Sequence, residues 1–220
     1  FDCGSCHTTG YTAADNASTD SLISGSWNEE GIGCEACHGP GSLHRDSPSQ
    51  VKPALDPKTA CAGCHGQALE TGIKAEDGLI FHTQQSAELS AGAKSFFTCD
   101  GCHNAHASAH YDAGASGEAL IKECTSCHTD KTVGLGMQSL KCIDCHMPYA
   151  VKAGAYISFK DADNNSLAQG DMRAHLFRIN TEAAAPGEMF SADGKQLAVD
   201  GSGKSSGLTL DFVCLGCHRD

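Results

Sequence analysis

Every cysteine of this chain stands in a Cys-x-x-Cys-His pentapeptide, and the pentapeptide occurs seven times. The cysteine pairs with their histidines are Cys3, Cys6 and His7; Cys34, Cys37 and His38; Cys61, Cys64 and His65; and Cys99, Cys102 and His103. They continue with Cys124, Cys127 and His128; Cys142, Cys145 and His146; and Cys214, Cys217 and His218. Two thiols three positions apart can each form a thioether to one vinyl group of a haem, and the histidine that follows lies under the iron as proximal ligand. A single Cys-x-x-Cys would suit half a zinc ribbon or a redox dithiol equally well. A histidine after every pair, with no thiol left over for a disulfide, selects attachment of seven haem c groups, each a covalently bound iron protoporphyrin IX.

The iron count then sets a demand for ligands. Of twelve histidines, the motifs use seven, leaving His44, His82, His106, His110 and His175 as candidate distal ligands. Imidazole on both faces gives a six-coordinate, low-potential haem that exchanges electrons without opening a site for substrate. Five histidines cannot complete seven irons, so two distal positions go to methionine, stay open, or take a histidine from an adjacent subunit. Met137, Met172 and Met189 are the methionine candidates. Met147 follows His146 directly and cannot wrap to the opposite face, which leaves it to packing. His44 and His106 follow their own proximal histidines too closely to reach round the ring, and are expected to ligate a different haem.

The elements that must hold these sites are weakly marked. Leu, Ile, Val and Phe make up 36 of 220 residues, below what an ordinary core needs in a chain of net charge −12. The porphyrins are expected to supply the missing apolar interior, so folding should be coupled to haem attachment. The motif spacing is irregular, which argues against a solenoid of fixed repeat. Thr83–Gly92 and Glu118–Cys127 read as short helices. Asp56-Pro57 and Gly39-Pro40-Gly41 read as turns. The motif-free stretch from Met147 to Val213 contains a strand-like Tyr156–Phe159 and hairpin-type turns at 192–195 and 200–203, and reads as a small β-rich insertion. Asp161–Asn165 begins like a calcium loop but has Ser166 and Met172 where glycine and glutamate are wanted, so a solvated turn is the expectation. Together these predict a single domain over 1–220: a haem-dense part at 1–146, the insertion at 147–213 and the last haem segment at 214–220. The predicted fold is mostly irregular, with short α-helices around a covalent haem array and little β outside the insertion.

The acidic balance excludes nucleic acid and anionic lipid as natural partners and suits cationic redox proteins, metal ions or mineral surfaces. No run of about 18 apolar residues appears, so no transmembrane segment is expected. The chain starts two residues before its first haem cysteine, which reads as a mature or trimmed N-terminus.

Several segments carry a resemblance beyond the pentapeptide. Cys37-His38-Gly39-Pro40-Gly41 with His44 resembles a haem-plus-ligand segment of bacterial and archaeal multihaem c-type cytochromes, and Cys102-His103-Asn104-Ala105-His106 resembles their CHxxH segment. Cys145–Pro148, Met172–Phe177 and Leu208–Cys214 resemble the C-terminal region of cytochromes related to multihaem reductases of nitrogen and sulfur metabolism. The resemblance implies distal ligation by His44, His106 and His175, and a periplasmic or extracellular location. It implies electron transfer with other cytochromes or redox proteins, with extracellular metal or mineral acceptors, or within a homopolymeric cytochrome filament, where distal histidines can cross subunit boundaries. The alternative is a multihaem oxidoreductase with an open-site haem, acting on a small nitrogen or sulfur oxyanion. No CxxCK marks such a haem here, and no residue is singled out as catalytic. Tyr111, Tyr149, Tyr156, Arg173 and Arg178 are the side chains that could stand beside an open face.

Overall fold

The computed structural model describes residues 3–14, 23–49, 55–66, 72–107, 119–134, 136–161, 164, 166–200, 204–205 and 207–218. The chain divides into two compact units, 1–64 and 65–220.

In the first unit a helical turn, α1 (Gly4–His7), runs into β1 (Thr8–Thr9), and the Thr8 hydroxyl donates back to the Gly4 carbonyl at 2.8 Å. Two two-residue ribbons follow, with β2 (Thr12–Ala13) against β3 (Gly25–Ser26) and β1 against β4 (Glu29–Glu30), both antiparallel. The Thr9 hydroxyl donates to the Gly31 carbonyl and accepts from the Gly33 N–H, guiding the chain into α2 (Cys34–His38). That helix stops at Gly39, whose φ of 72° suits glycine, and the chain turns through Pro40 and Gly41 into α3 (Ser42–Asp46), as expected of this tripeptide. Asp56-Pro57 does not turn. It starts α4 (Pro57–His65), with proline in the first helical position and the Asp56 carboxylate accepting from the Lys58 N–H at 3.0 Å. Among the described residues of this unit no large apolar side chain is buried, while Trp27, Ile32, Leu43 and Leu55 are exposed.

The second unit is built on a four-stranded sheet. A hairpin of β5 (Ala75–Glu76) and β6 (Leu79–Phe81) turns at Asp77-Gly78, where both residues have positive φ, as a two-residue hairpin turn requires. Strand β6 pairs in parallel with β7 (Val151–Lys160), which pairs antiparallel with β8 (Ser166–Met172), giving the order β5-β6-β7-β8. Between Val151 and Tyr156 the β7–β8 register shifts, and the Asp171 carboxylate accepts the N–H groups of Ala153, Gly154 and Ala155 that the ladder leaves unpaired. Helix α5 (Gln85–Ala91) follows β6, then two single 3₁₀ turns at Cys99–Gly101 and Cys124–Ser126, then α6 (Cys142–His146). Strands β9 (Ile179–Asn180) and β10 (Leu208–Thr209) pair in parallel ahead of α7 (Leu210–Leu215), which Thr209 caps through its hydroxyl. Leu79, Ile80, Leu176, Met189 and Leu208 are fully buried between these elements.

This architecture is a mixture of short helices and small sheets rather than a loop-dominated fold. The β-rich insertion is present, with Tyr156–Phe159 inside β7, but its sheet takes β5 and β6 from the haem-dense part. The helix expected over Thr83–Gly92 is α5. Over Glu118–Cys127 the expectation fails: Leu120 forms a bridge with His103, and only Cys124–Ser126 makes a 3₁₀ turn. The turn at 192–195 is closed by the Gly194 N–H on the Ser191 carbonyl, whereas 201–203 lies outside the described residues. So do 162, 163 and 165 of the loop weighed for calcium. Among the described residues no helix is long and apolar enough to cross a membrane.

Candidate haem sites

All seven pentapeptides fold as one helical turn. In α2, α4 and α6 the motif lies within the helix. In the other four the histidine N–H donates to the first cysteine's carbonyl: His7 to Cys3 at 3.0 Å, His103 to Cys99 and His128 to Cys124 at 2.9 Å, and His218 to Cys214 at 2.8 Å. Such a turn sets residues i, i+3 and i+4 on one face, so both thiols and the imidazole of each motif lie on one side. None of the fourteen cysteines is in a disulfide, and none is fully buried.

Thiols of different motifs lie close enough to perturb one another. Burial first, then Cys6 and Cys37, push the Cys64 thiol up to about 11. Burial and then Cys142 raise Cys124, and burial followed by Cys214, Asp144, Cys217 and Cys142 raises Cys145. Cys64 thus lies near thiols of the first two motifs, and the sixth motif has a thiol of the fifth and thiols of the seventh beside it.

Two motif imidazoles have a partner on Nδ1. His65 Nδ1 lies 3.3 Å from the Gln85 side-chain oxygen, and His146 Nδ1 donates to the Phe177 carbonyl at 2.9 Å. Engaging Nδ1 leaves Nε2 free, which is how ligating histidines are held. The Phe177 residue that supplies this carbonyl has φ 58°, an uncommon backbone for an aromatic residue. Lys94 Nζ stands 2.9 Å from His128 Nε2.

His175 is brought to His103, a motif histidine, with ring centroids 6.2 Å apart. Two imidazoles reaching one ion from opposite sides, with metal–nitrogen bonds of about 2 Å, span about that distance. Burial, then the charge of His103, push His175 down to about 4, and burial with His65 lowers His103. The His175 N–H donates to Glu88 at 2.6 Å. Glu88 is fully buried, and burial raises its carboxyl to about 7 against the pull of that N–H.

The remaining candidate ligands are dispersed. His44 lies in α3, one turn beyond the second motif. His106 sits exposed in a turn where its N–H donates to Asn104 Oδ1 at 3.1 Å. His82 follows β6 and donates its N–H to the Lys152 carbonyl. His110 and Tyr111 lie outside the described residues. Met189 is spent on the apolar core and Met172 packs beside it, while Met137 is exposed.

Sequence reasoning missed Glu88, and it weighed Arg173 and Tyr149 only for an open haem face. Arg173 donates to the Ile143 and Met147 carbonyls and to Asp144, at 2.9 to 3.0 Å, and lies over the Tyr149 ring at 4.4 Å, so both are committed to clamping the sixth motif. The Lys141 N–H, then Arg173, hold the Asp144 carboxyl below its usual range despite some burial. Glu88 had a signal: it is a charge beside Ala87, on the face that α5 turns inward.

Parts of the chain are similar to known cytochromes. The family model for cytochrome c3 matches residues 26–115, and that for cytochrome c554 and c-prime matches residues 1–39. No curated protein matches the chain. Among solved structures, the outer cell wall cytochrome OcwA matches with a TM-score of 0.48 and 17% identity over 99% of this chain. The undecahaem cytochrome from the S-layer of Carboxydothermus ferrireducens matches with a TM-score of 0.40 and 20% identity over 71%. This chain spans 60% and 39% of their respective lengths. Both matched family models are of cytochromes, the proteins to which these parts of the chain are similar.

Proposed function

We propose that the protein transfers electrons through seven closely spaced haem c groups, held by the fourteen motif cysteines with the seven motif histidines as proximal ligands. Haem supplies the reversible one-electron chemistry, and the protein supplies attachment, axial donors and spacing. The observation that carries the reading is the common helical turn of all seven pentapeptides, each with two thiols outside any disulfide and an imidazole on one face. The crowding of thiols from successive motifs supports short steps between neighbouring haems. His44, His82, His106, His110 and His175 serve as distal ligands, with His175 opposite His103, so most of the haems are bis-histidine. One domain over 1–220 holds the array.

The remaining two distal positions are completed by a neighbouring copy of the chain, which makes the protein a subunit of a cytochrome filament working outside the cytoplasmic membrane. Its partners are other cytochromes or redox proteins and extracellular metal or mineral acceptors, favoured by the −12 charge. The test is intact mass with electron paramagnetic resonance of the oxidised protein. Seven haem additions and low-spin ferric signals are expected. A mass without haem additions ends the reading, and a high-spin signal that persists in the assembled protein ends its filament part.

A further inference from the structure

Among the described residues two buried side-chain atoms have no hydrogen-bond partner: Glu88 Oε1 and His175 Nδ1. They belong to residues already joined, since the other Glu88 oxygen accepts the His175 backbone N–H at 2.6 Å. A carboxylate has capacity for both donors. An unpaired buried polar group costs about 1–3 kcal/mol, and here two of them, not bonded to each other, fall on residues already joined through the backbone. His65 and His146 already have Nδ1 partners, and His175 lacks one.

Glu88 is rigidly placed for this role. Its N–H donates to the carbonyl of Gln84, whose side-chain amide is itself bonded to Lys74 and Phe81 backbone groups. At the other end of α5 the Ala93 N–H donates to the Leu176 carbonyl at 2.9 Å, tying the helix to the residue after His175.

We propose that Glu88 is the positioning residue of His175 in the haem-loaded protein: one carboxylate oxygen holds the backbone N–H as it does here, and the other, unbonded in this structure, would accept Nδ1–H and leave Nε2 for the iron that His103 would also hold. This rests on the reading of His175 as a distal ligand. An anionic partner on Nδ1–H makes the imidazole a stronger donor to iron, so Glu88 sets the potential of the haem on Cys99 and Cys102 as well as its ring orientation. The Arg173 carbonyl also acts on the His175 ring and is the competing acceptor.

The test compares Glu88→Gln, Glu88→Met and His175→Ala in the haem-loaded protein by electron paramagnetic resonance and potentiometric titration. Glu88→Gln keeps the shape and removes the anion. It is expected to shift the g values of one low-spin haem and raise one midpoint potential, leaving haem content unchanged. His175→Ala is expected to turn one haem high-spin. Wild-type g values and potentials in Glu88→Gln, alongside a high-spin haem in His175→Ala, overturn the role of Glu88 and leave the distal reading standing. All-low-spin haems in His175→Ala overturn the distal reading itself. If Glu88→Met fails to fold, the isosteric glutamine variant decides.

Discussion

The two units solve the same problem with different materials. Within 1–64 three haem motifs share a segment whose described residues bury no large apolar side chain, and Leu43 is 69% exposed. Within 65–220 a sheet and its flanking helices bury Leu79, Ile80, Leu176, Met189 and Leu208 completely. Among its described residues the first unit has no side-chain core, whereas the second owns one on which cofactor sites can be hung. The expectation that porphyrin must replace the core is corrected in the second unit, which has a side-chain core of its own.

The largest effect should come from removing haem. In the unloaded chain, amide exchange should be unprotected over 1–64 and still slow at Leu79, Ile80 and Val151; uniform loss of protection would erase the contrast. Next comes Leu176→Ala, which empties a fully buried position and should cost about 2–5 kcal/mol, read by denaturant unfolding. Gly92→Ala should follow, since a methyl there runs into the Leu176 and Glu88 carbonyls, and overpacking of this kind costs about 1–3 kcal/mol. It should also disturb the haem spectrum more than a distant core change does, because it separates α5 from the His175 segment. His106→Ala should leave stability nearly unchanged and alter a haem other than the one on Cys99 and Cys102. A spectral change confined to that haem would refute ligation across sites.

The smallest effect is one of acidity. Partial burial pushes the Asp171 carboxyl up, but the three N–H groups of Ala153, Gly154 and Ala155 hold it below its usual value. A depressed carboxyl contributes stability above its unfolded-state value of about 4, and that contribution is lost as pH falls through the lower folded-state value. Protection of those three amides should therefore hold at neutral pH and fade only in strong acid. Fading already near neutrality would remove Asp171 as its source.

Local patterns were legible in proportion to how local their physics is. Helix α5 and strand β7 were visible as periodic segments, and the Gly39-Pro40-Gly41 turn as chemistry. Asp56-Pro57 misled because the same dipeptide can start a helix as well as turn, and only the backbone bond from the Ala60 N–H to the Asp56 carbonyl, continued through Pro57–His65, separates the two. The Asp77-Gly78 hairpin carried a readable turn signal, yet its parallel pairing with β7, about seventy residues away, had none.

The sequence by itself determined the chemistry: a thiol pair and an imidazole within five residues are placed by one helical turn, whatever the rest of the chain does. Tertiary structure decided the partners. His175 meets His103, Glu88 reaches the His175 backbone, and Arg173 clamps the sixth motif only because strands and helices distant in sequence pack together. Contacts of that kind depend on the summed burial of many side chains, and no single segment encodes them.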